Sequence, residues 1–178
     1  SIFKVNYHGT NVQNPRRINV LIDGVSVYEP GLSVINWSML PIAVEDIARI
    51  EVTRGPDSAS YGPNSMLAIV NIITLHPQDS DGVTAVLGVG TERRRRLHSR
   101  VSTSFGTTSA TLALSSEFDG GFDKFRSDGS ASSAKSDPSG HDSATATRLS
   151  FSSETTFTPH TKVAVRAAYV EGKNDSPF

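Results

Sequence analysis

The sequence predicts a mainly β chain, with a small α+β region followed by a succession of antiparallel strands. Three observations predict it. Up to about Asp81 the chain carries dense apolar runs broken by Gly-Pro and Asp-Gly turns. From Val83 onward it changes to Ser, Thr and Ala with alternating apolar residues, the period-2 signature of strands. The connections in that second region alternate between tight and long.

The elements follow in order. Asn19 to Ile22 reads as a strand and Val25 to Tyr28 as its return. Asp23-Gly24 lies between them, a strong hairpin signal because both positions tolerate positive φ. Val44 to Ala48 reads as a short helix, its Glu45 and Asp46 suiting the positive end of the dipole and Ile47 and Ile50 facing inward. Ile50 to Arg54 alternates Ile50 and Val52 against Glu51 and Thr53, as a strand with one polar face does. Leu67 to Leu75 is apolar almost throughout and reads as a strand buried on both faces.

Five period-2 strands follow. Val83, Ala85, Leu87 and Val89 share one face. Leu97, Val101 and Phe105 oppose His98, Arg100 and Ser102. Leu112, Leu114 and Phe118 form the third set, Leu149, Phe151 and Phe157 the fourth, and Val163, Val165, Ala167 and Tyr169 the fifth. Gly106-Thr107-Thr108 and Thr158-Pro159-His160 are tight turns, whereas Gly120 to Ser143 is long and polar.

Composition bounds the function. The 178 residues have a net charge of −1, so no global field points to nucleic acid. The charge is uneven, acidic residues outnumbering basic ones up to Gly82 and the reverse after it. No cysteine is present, which removes disulfides and thiol-based metal or redox chemistry. No stretch approaches the roughly 18 consecutive apolar residues of a membrane-spanning helix, but strands of about 10 residues cross membranes with far weaker hydropathy. The five histidines, His8, His76, His98, His141 and His160, show no i, i+4 pair or zinc motif. Asp119, Asp123, Asp128, Asp137 and Asp142 lack the spacing of an EF-hand loop. No nucleophile elbow or phosphate loop occurs, so no catalytic residue, metal or cofactor is assigned.

Glu45 to Pro77 is the most specific stretch. Asp46, Ile47, Arg49 to Val52, Arg54-Gly55-Pro56, Ser58-Ala59, Tyr61-Gly62, Asn64 and Val70 to Thr74 together resemble the later plug of TonB-dependent outer-membrane receptors. Val20 to Gly31 resembles the preceding plug hairpin. Val5 to Gly9 resembles an earlier plug strand, with His8 where relatives often carry Arg. The resemblance covers Val5 to Pro77 and implies residues 1–81 as a partial plug and residues 82–178 as the start of a transmembrane β-barrel. It is an incomplete one, since large transporters of this kind use about 22 strands. With the first of these strands starting at the periplasmic side, both tight turns fall there and the longer connections fall outside, as in outer-membrane barrels. With no leader at Ser1, the chain reads as a mature or truncated piece of a longer protein, the TonB-contact segment lying outside it.

The resemblance implies transport in the bacterial outer membrane, by gating and not catalysis. A scarce nutrient such as a ferric siderophore, haem or cobalamin would be the ligand, and the TonB complex and outer-membrane lipid the partners, with no nucleic acid. Arg54, with Glu51 beside it, is the candidate for docking the plug on the barrel, a guanidinium being suited to bidentate carboxylate pairing. The plainer reading of Arg54 is a solvated strand end paired locally with Glu51. Tyr28, Trp37, Tyr61 and Asn64 are candidate ligand contacts on the outer face of the plug, although Trp37 reads first as a core residue. Arg93, Arg94, Arg95 and Arg96 are candidates for lipopolysaccharide phosphate, or a solvated loop tip. Gly55, Gly62 and Pro63 read as backbone geometry. A soluble β-rich extracellular binding or adhesion module is the alternative function, which would leave the plug motif unexplained.

Overall fold

The computed structural model describes residues 17–29, 35–56, 58–91, 93–120 and 143–174. Two sheets carry the described chain. The first has four strands, β1 (Ile18–Ile22), β2 (Val25–Ser26), β3 (Ile47–Arg54) and β4 (Ala68–Thr74), in the order β2-β1-β4-β3. The second has five, β5 (Gly82–Val89), β6 (Arg95–Phe105), β7 (Thr108–Asp119), β8 (Ala144–Thr158) and β9 (Thr161–Asn174), paired in sequence order and antiparallel throughout.

In the first sheet β1 runs parallel to β4, which pairs antiparallel with β3. The β1–β2 turn places Asp23 at φ 47° and Gly24 at φ 82°, the two positive values that a two-residue hairpin turn requires. Ile18, Val20, Ala68 and Ile72 form a buried core on one face of this sheet. Ile35, Trp37, Leu40 and Ile42 pack against it from the connection between β2 and β3, and Ile47 from the start of β3. On the opposite face a buried polar cluster forms. Asn19 Nδ2 donates to the Tyr61 carbonyl at 3.0 Å and to Ser65 Oγ at 3.1 Å, which fixes the short α1 (Ser58–Tyr61) under β1.

Two expectations need correction here. The helix expected over Val44 to Ala48 is only a 3₁₀ turn, Val44–Asp46, and Ile47 already begins β3. The β-branched residues that follow gain more by pairing with β4, from Ile47↔Thr74 to Arg54↔Ala68 with one register shift between Ile47 and Arg49, than one helical turn offers. Ile50 does not face a packed interior. It shares the core face with Ile72 but is 55% exposed, because no residue described lies over that end of β3.

The second sheet is the expected run of five strands, slightly longer at their ends. Its two faces differ sharply. Val83, Leu87, Val101, Phe105, Leu112, Phe151 and Val165 project outward and are exposed. His98, Ser102, Ser109, Ala113, Ser115 and Arg148 project inward and are buried. Short turns at Gly106-Thr107 and Pro159-His160 lie at the end where β5 begins. The polar connection expected between β7 and β8, with Asp123, Asp128, Asp137, Asp142 and His141, falls outside the described residues apart from its ends. His8 and the Val5 to Gly9 strand also fall outside them, as do residues 30–34.

Candidate functional site: the seat of the first sheet on the wall

Alternation is what builds the wall surface. With side chains reversing at each residue, β6 presents Arg96, His98, Arg100 and Ser102 to one side and Leu97, Val101 and Phe105 to the other. Cross-strand pairing sets Arg100 opposite Ala113 and His98 opposite Ser115 on β7. The first sheet, with the connection that covers it, lies against this polar side.

Its closest approach is the 3₁₀ turn Val44–Asp46. The Glu45 carboxylate accepts from Arg96 at 2.5 Å, and Arg96 also lies 3.3 Å from Glu117. The Asp46 carboxylate lies 3.3 Å from both His98 Nε2 and Arg100 Nη1. Arg100 donates in addition to the Glu45 carbonyl at 3.1 Å. His98 is wholly buried, and the Arg100 side chain is 11% exposed. Burial raises the Asp46 carboxyl above its ordinary range, against the opposing pull of His98 and Arg100. The contact therefore specifies where the turn sits more than it adds net stability.

Further contacts widen the seat. Arg148 Nε donates to the Leu40 carbonyl at 2.8 Å and Arg148 Nη1 to Glu117 at 3.0 Å. Asp23 accepts from the Thr74 amide at 2.9 Å and from its hydroxyl at 2.7 Å, and lies 3.5 Å from Arg166 Nε on β9. His76 meets Glu154 at 3.1 Å, and Ser80 Oγ donates to Ser102 Oγ at 3.1 Å. A cleft of about 540 Å³ remains between the β1–β2 hairpin and β7–β9, lined by Val25, Tyr28, Ile42, Ser150, Ser152 and Ala168 among others. No cluster of His, Asp or Glu able to hold a metal occurs among the described residues.

The residues singled out from sequence sit at several places. Arg54 is exposed at the end of β3, on the face that also carries Ile50 and Val52. Glu51 is on the other face and accepts from Arg49 at 2.7 Å, so a local Arg54–Glu51 pair is not made. Trp37 packs against the core. The Tyr28 hydroxyl donates to the Ile18 carbonyl at 2.5 Å. Tyr61 is exposed and Asn64 half-buried around α1, with Asn64 at φ 68°. The arginine run divides by parity. Arg94 pairs with Asp119 at 2.8 Å, Arg96 turns inward to Glu45, Arg93 reaches the Gly120 carbonyl, and Arg95 is exposed.

Sequence reasoning passed over Glu45, Asp46, Asp23, Arg148 and Arg166 as contact residues. The usable signal was the charge imbalance, acidic before Gly82 and basic after it, with Arg and His on the non-apolar face of β6.

An antiparallel sheet with an apolar outer face and a smaller sheet seated on its polar side is the arrangement found in plugged β-barrels of the outer-membrane class. Residues 3–69 match the family model described as the TonB-dependent Receptor Plug Domain. Over 97 residues the chain is 29% identical to the vitamin B12 transporter BtuB of Vibrio vulnificus (strain CMCP6), covering 54% of this chain and 14% of that protein. Its fold is similar to that of the ferric-catecholate import receptor Fiu from E. coli K12, with a TM-score of 0.65 at 18% identity, over 90% of this chain and 21% of that one. The siderophore receptor PirA from Acinetobacter baumannii superposes with a TM-score of 0.64 at 20% identity, over 90% of this chain and 24% of its own. Residues 3–69 thus match the plug of TonB-dependent receptors, and the chain spans a small part of the length of the relatives it matches.

Proposed function

We propose that the parent receptor imports a scarce nutrient, a ferric siderophore, haem, cobalamin or a similar complex, and that residues 1–81 form part of the plug gating a barrel whose wall begins at residue 82. The observation that carries this reading is the seating of the Glu45–Asp46 turn on Arg96, His98 and Arg100, which sets a small sheet across the inner side of the wall. Gating fits this arrangement, because ion pairs and hydrogen bonds can be exchanged without covalent chemistry. The relatives support it through their names, a vitamin B12 transporter and siderophore receptors. The TonB complex is the proposed energy-coupling partner. An adhesion module in water would have to cover the outward apolar face of β5–β9.

Within this reading Arg54, on an uncovered face, is proposed to dock on wall carboxylates beyond this chain, with Glu51 contributing from the opposite face of β3. Tyr61 and Asn64 are proposed ligand contacts, while Tyr28 and Trp37 are held by the plug itself. Arg95, alone of its run in projecting beside the outward Leu97, is the proposed lipopolysaccharide contact.

The test is uptake of labelled ferric siderophores, haem and cobalamin by cells with and without the intact receptor gene. One compound is expected to lose energised uptake on deletion and to regain it with the gene, only where TonB is present. Unchanged uptake of every compound would overturn the transport reading.

A further inference from the structure

We propose that the Glu45–Asp46 turn and the Leu75–Asp81 connection form one fixed anchor, about which the rest of the plug moves away from the wall. The inference rests on the gating reading for the existence of that movement, and on geometry for the location of the pivot.

The two parts of the anchor are joined. The Leu75 amide donates to the Asp46 carbonyl at 2.9 Å, which ties the end of β4 to the acidic turn. Seven residues later the chain is already in β5 of the wall. The 3₁₀ turn Pro77–Ser80 between them lies on the wall, with Ser80 bonded to Ser102 and His76 to Glu154. This side is therefore held covalently and by hydrogen bonds at once.

Its charges make it costly to part. Withdrawing Glu45 and Asp46 would leave Arg96, Arg100 and His98 facing one another on a buried surface without an anion from the plug. The contacts across the cleft are weaker. Asp23 and Arg166 stand 3.5 Å apart, the Asp23 side chain largely buried and that of Arg166 55% exposed. The open cleft between the β1–β2 hairpin and β7–β9 already separates plug from wall there. Movement that widens this cleft breaks an ion pair with one exposed partner and loads the single Arg148–Leu40 bond, whereas movement at the anchor breaks the Glu45 and Asp46 contacts with three cations at once.

Hydrogen exchange on the intact receptor in micelles tests the location of the anchor without any transport. The Leu75 amide is expected to exchange at least tenfold more slowly than the Val27 amide, which is bonded to the Val20 carbonyl at 3.0 Å. The double variant Arg96→Met, Arg100→Met should bring the two to within about threefold, and Glu45→Gln serves in its place if that protein fails to reach the membrane. Leu75 exchanging as fast as Val27 in the unaltered receptor, or no response to these changes, would overturn the anchor. Locks on uptake supply a second measurement. An oxidised Ser80→Cys, Ser102→Cys pair should leave uptake within about twofold. A short thiol crosslinker joining Val25→Cys to Ala168→Cys across the cleft should lower it at least tenfold. Loss of uptake with the first lock, or none with the second, ends the pivot. Uptake by the unlocked receptor reports the transport reading separately, and the exchange result stands whether or not that reading does.

Discussion

Arg148 and Leu40, 108 positions apart in sequence, are joined by a hydrogen bond of 2.8 Å from the guanidinium Nε to the carbonyl oxygen. Arg148 is on β8 of the wall, and Leu40 is in the connection that covers the plug core. The same guanidinium holds Glu117 on the neighbouring strand. One buried cation thus fastens the plug cover and orders two wall strands.

Arg148→Met is expected to destabilise the seated plug by about 2–4 kcal/mol, because the Leu40 carbonyl and the Glu117 carboxylate both lose a charged donor. Denaturant melting of the intact receptor in detergent measures it. A change smaller than the error of the melt would show that the bond contributes nothing to seating.

Asn19→Leu should cost about 1–3 kcal/mol. Asn19 is buried, and its amide group serves Tyr61, Ser65 and the Ser26 hydroxyl together. The loss is expected to appear first as faster exchange around α1, since that helix is only four residues long and depends on this bond.

Gly24→Val places a β-branched residue at φ 82° and should cost about 1–2 kcal/mol. The position is sterically open, so the penalty is one of backbone conformation and not of collision. Gly24→Asn, which tolerates that region, is expected to recover most of it, and thermal melting compares the two.

Asp46 gives the plug a pH dependence whose sign is fixed. Its carboxyl is raised by burial, so the seated state holds that proton more tightly than the unfolded chain. The contribution of Asp46 is least favourable above the raised value. It improves as pH falls through that value towards the ordinary carboxylate range. Asp46→Asn should flatten this part of the stability profile, and a parallel profile in the variant would contradict the assignment.

Leu112→Arg tests the lipid face. Leu112 projects outward near the middle of β7 and is exposed, so a charge there faces hydrocarbon, at a cost of about 2–4 kcal/mol near the midplane. Ala113→Ser, one residue on but turned inward, is expected to insert normally. The yield of heat-modifiable receptor in the outer membrane measures both.

The wall was legible because its rule is local. Alternation from Val83 to Tyr169 gives the strands and their faces, and the Gly106 and Pro159 turns give their order. The hairpin at Asp23-Gly24 was legible for the same reason, since the turn itself demands those two residues. The helix expected at Val44 was not found because propensity over five residues is a weak preference, and pairing with β4 overrides it. Arg54 stood out within a motif, yet the charged contacts described lie elsewhere. Glu45 and Asp46 looked like ordinary helix-opening acids, and only their partners on β6 give them another role.

By itself, then, the sequence determined the strands, the apolar side of the wall and the resemblance to a receptor plug. All of these are written in short-range patterns, and none depends on how distant segments meet. The tertiary structure alone decided which acids face which cations. Pairs such as Glu45–Arg96, Asp46–Arg100 and Asp23–Arg166 join residues far apart along the chain, where charge complementarity permits many partners and packing selects one.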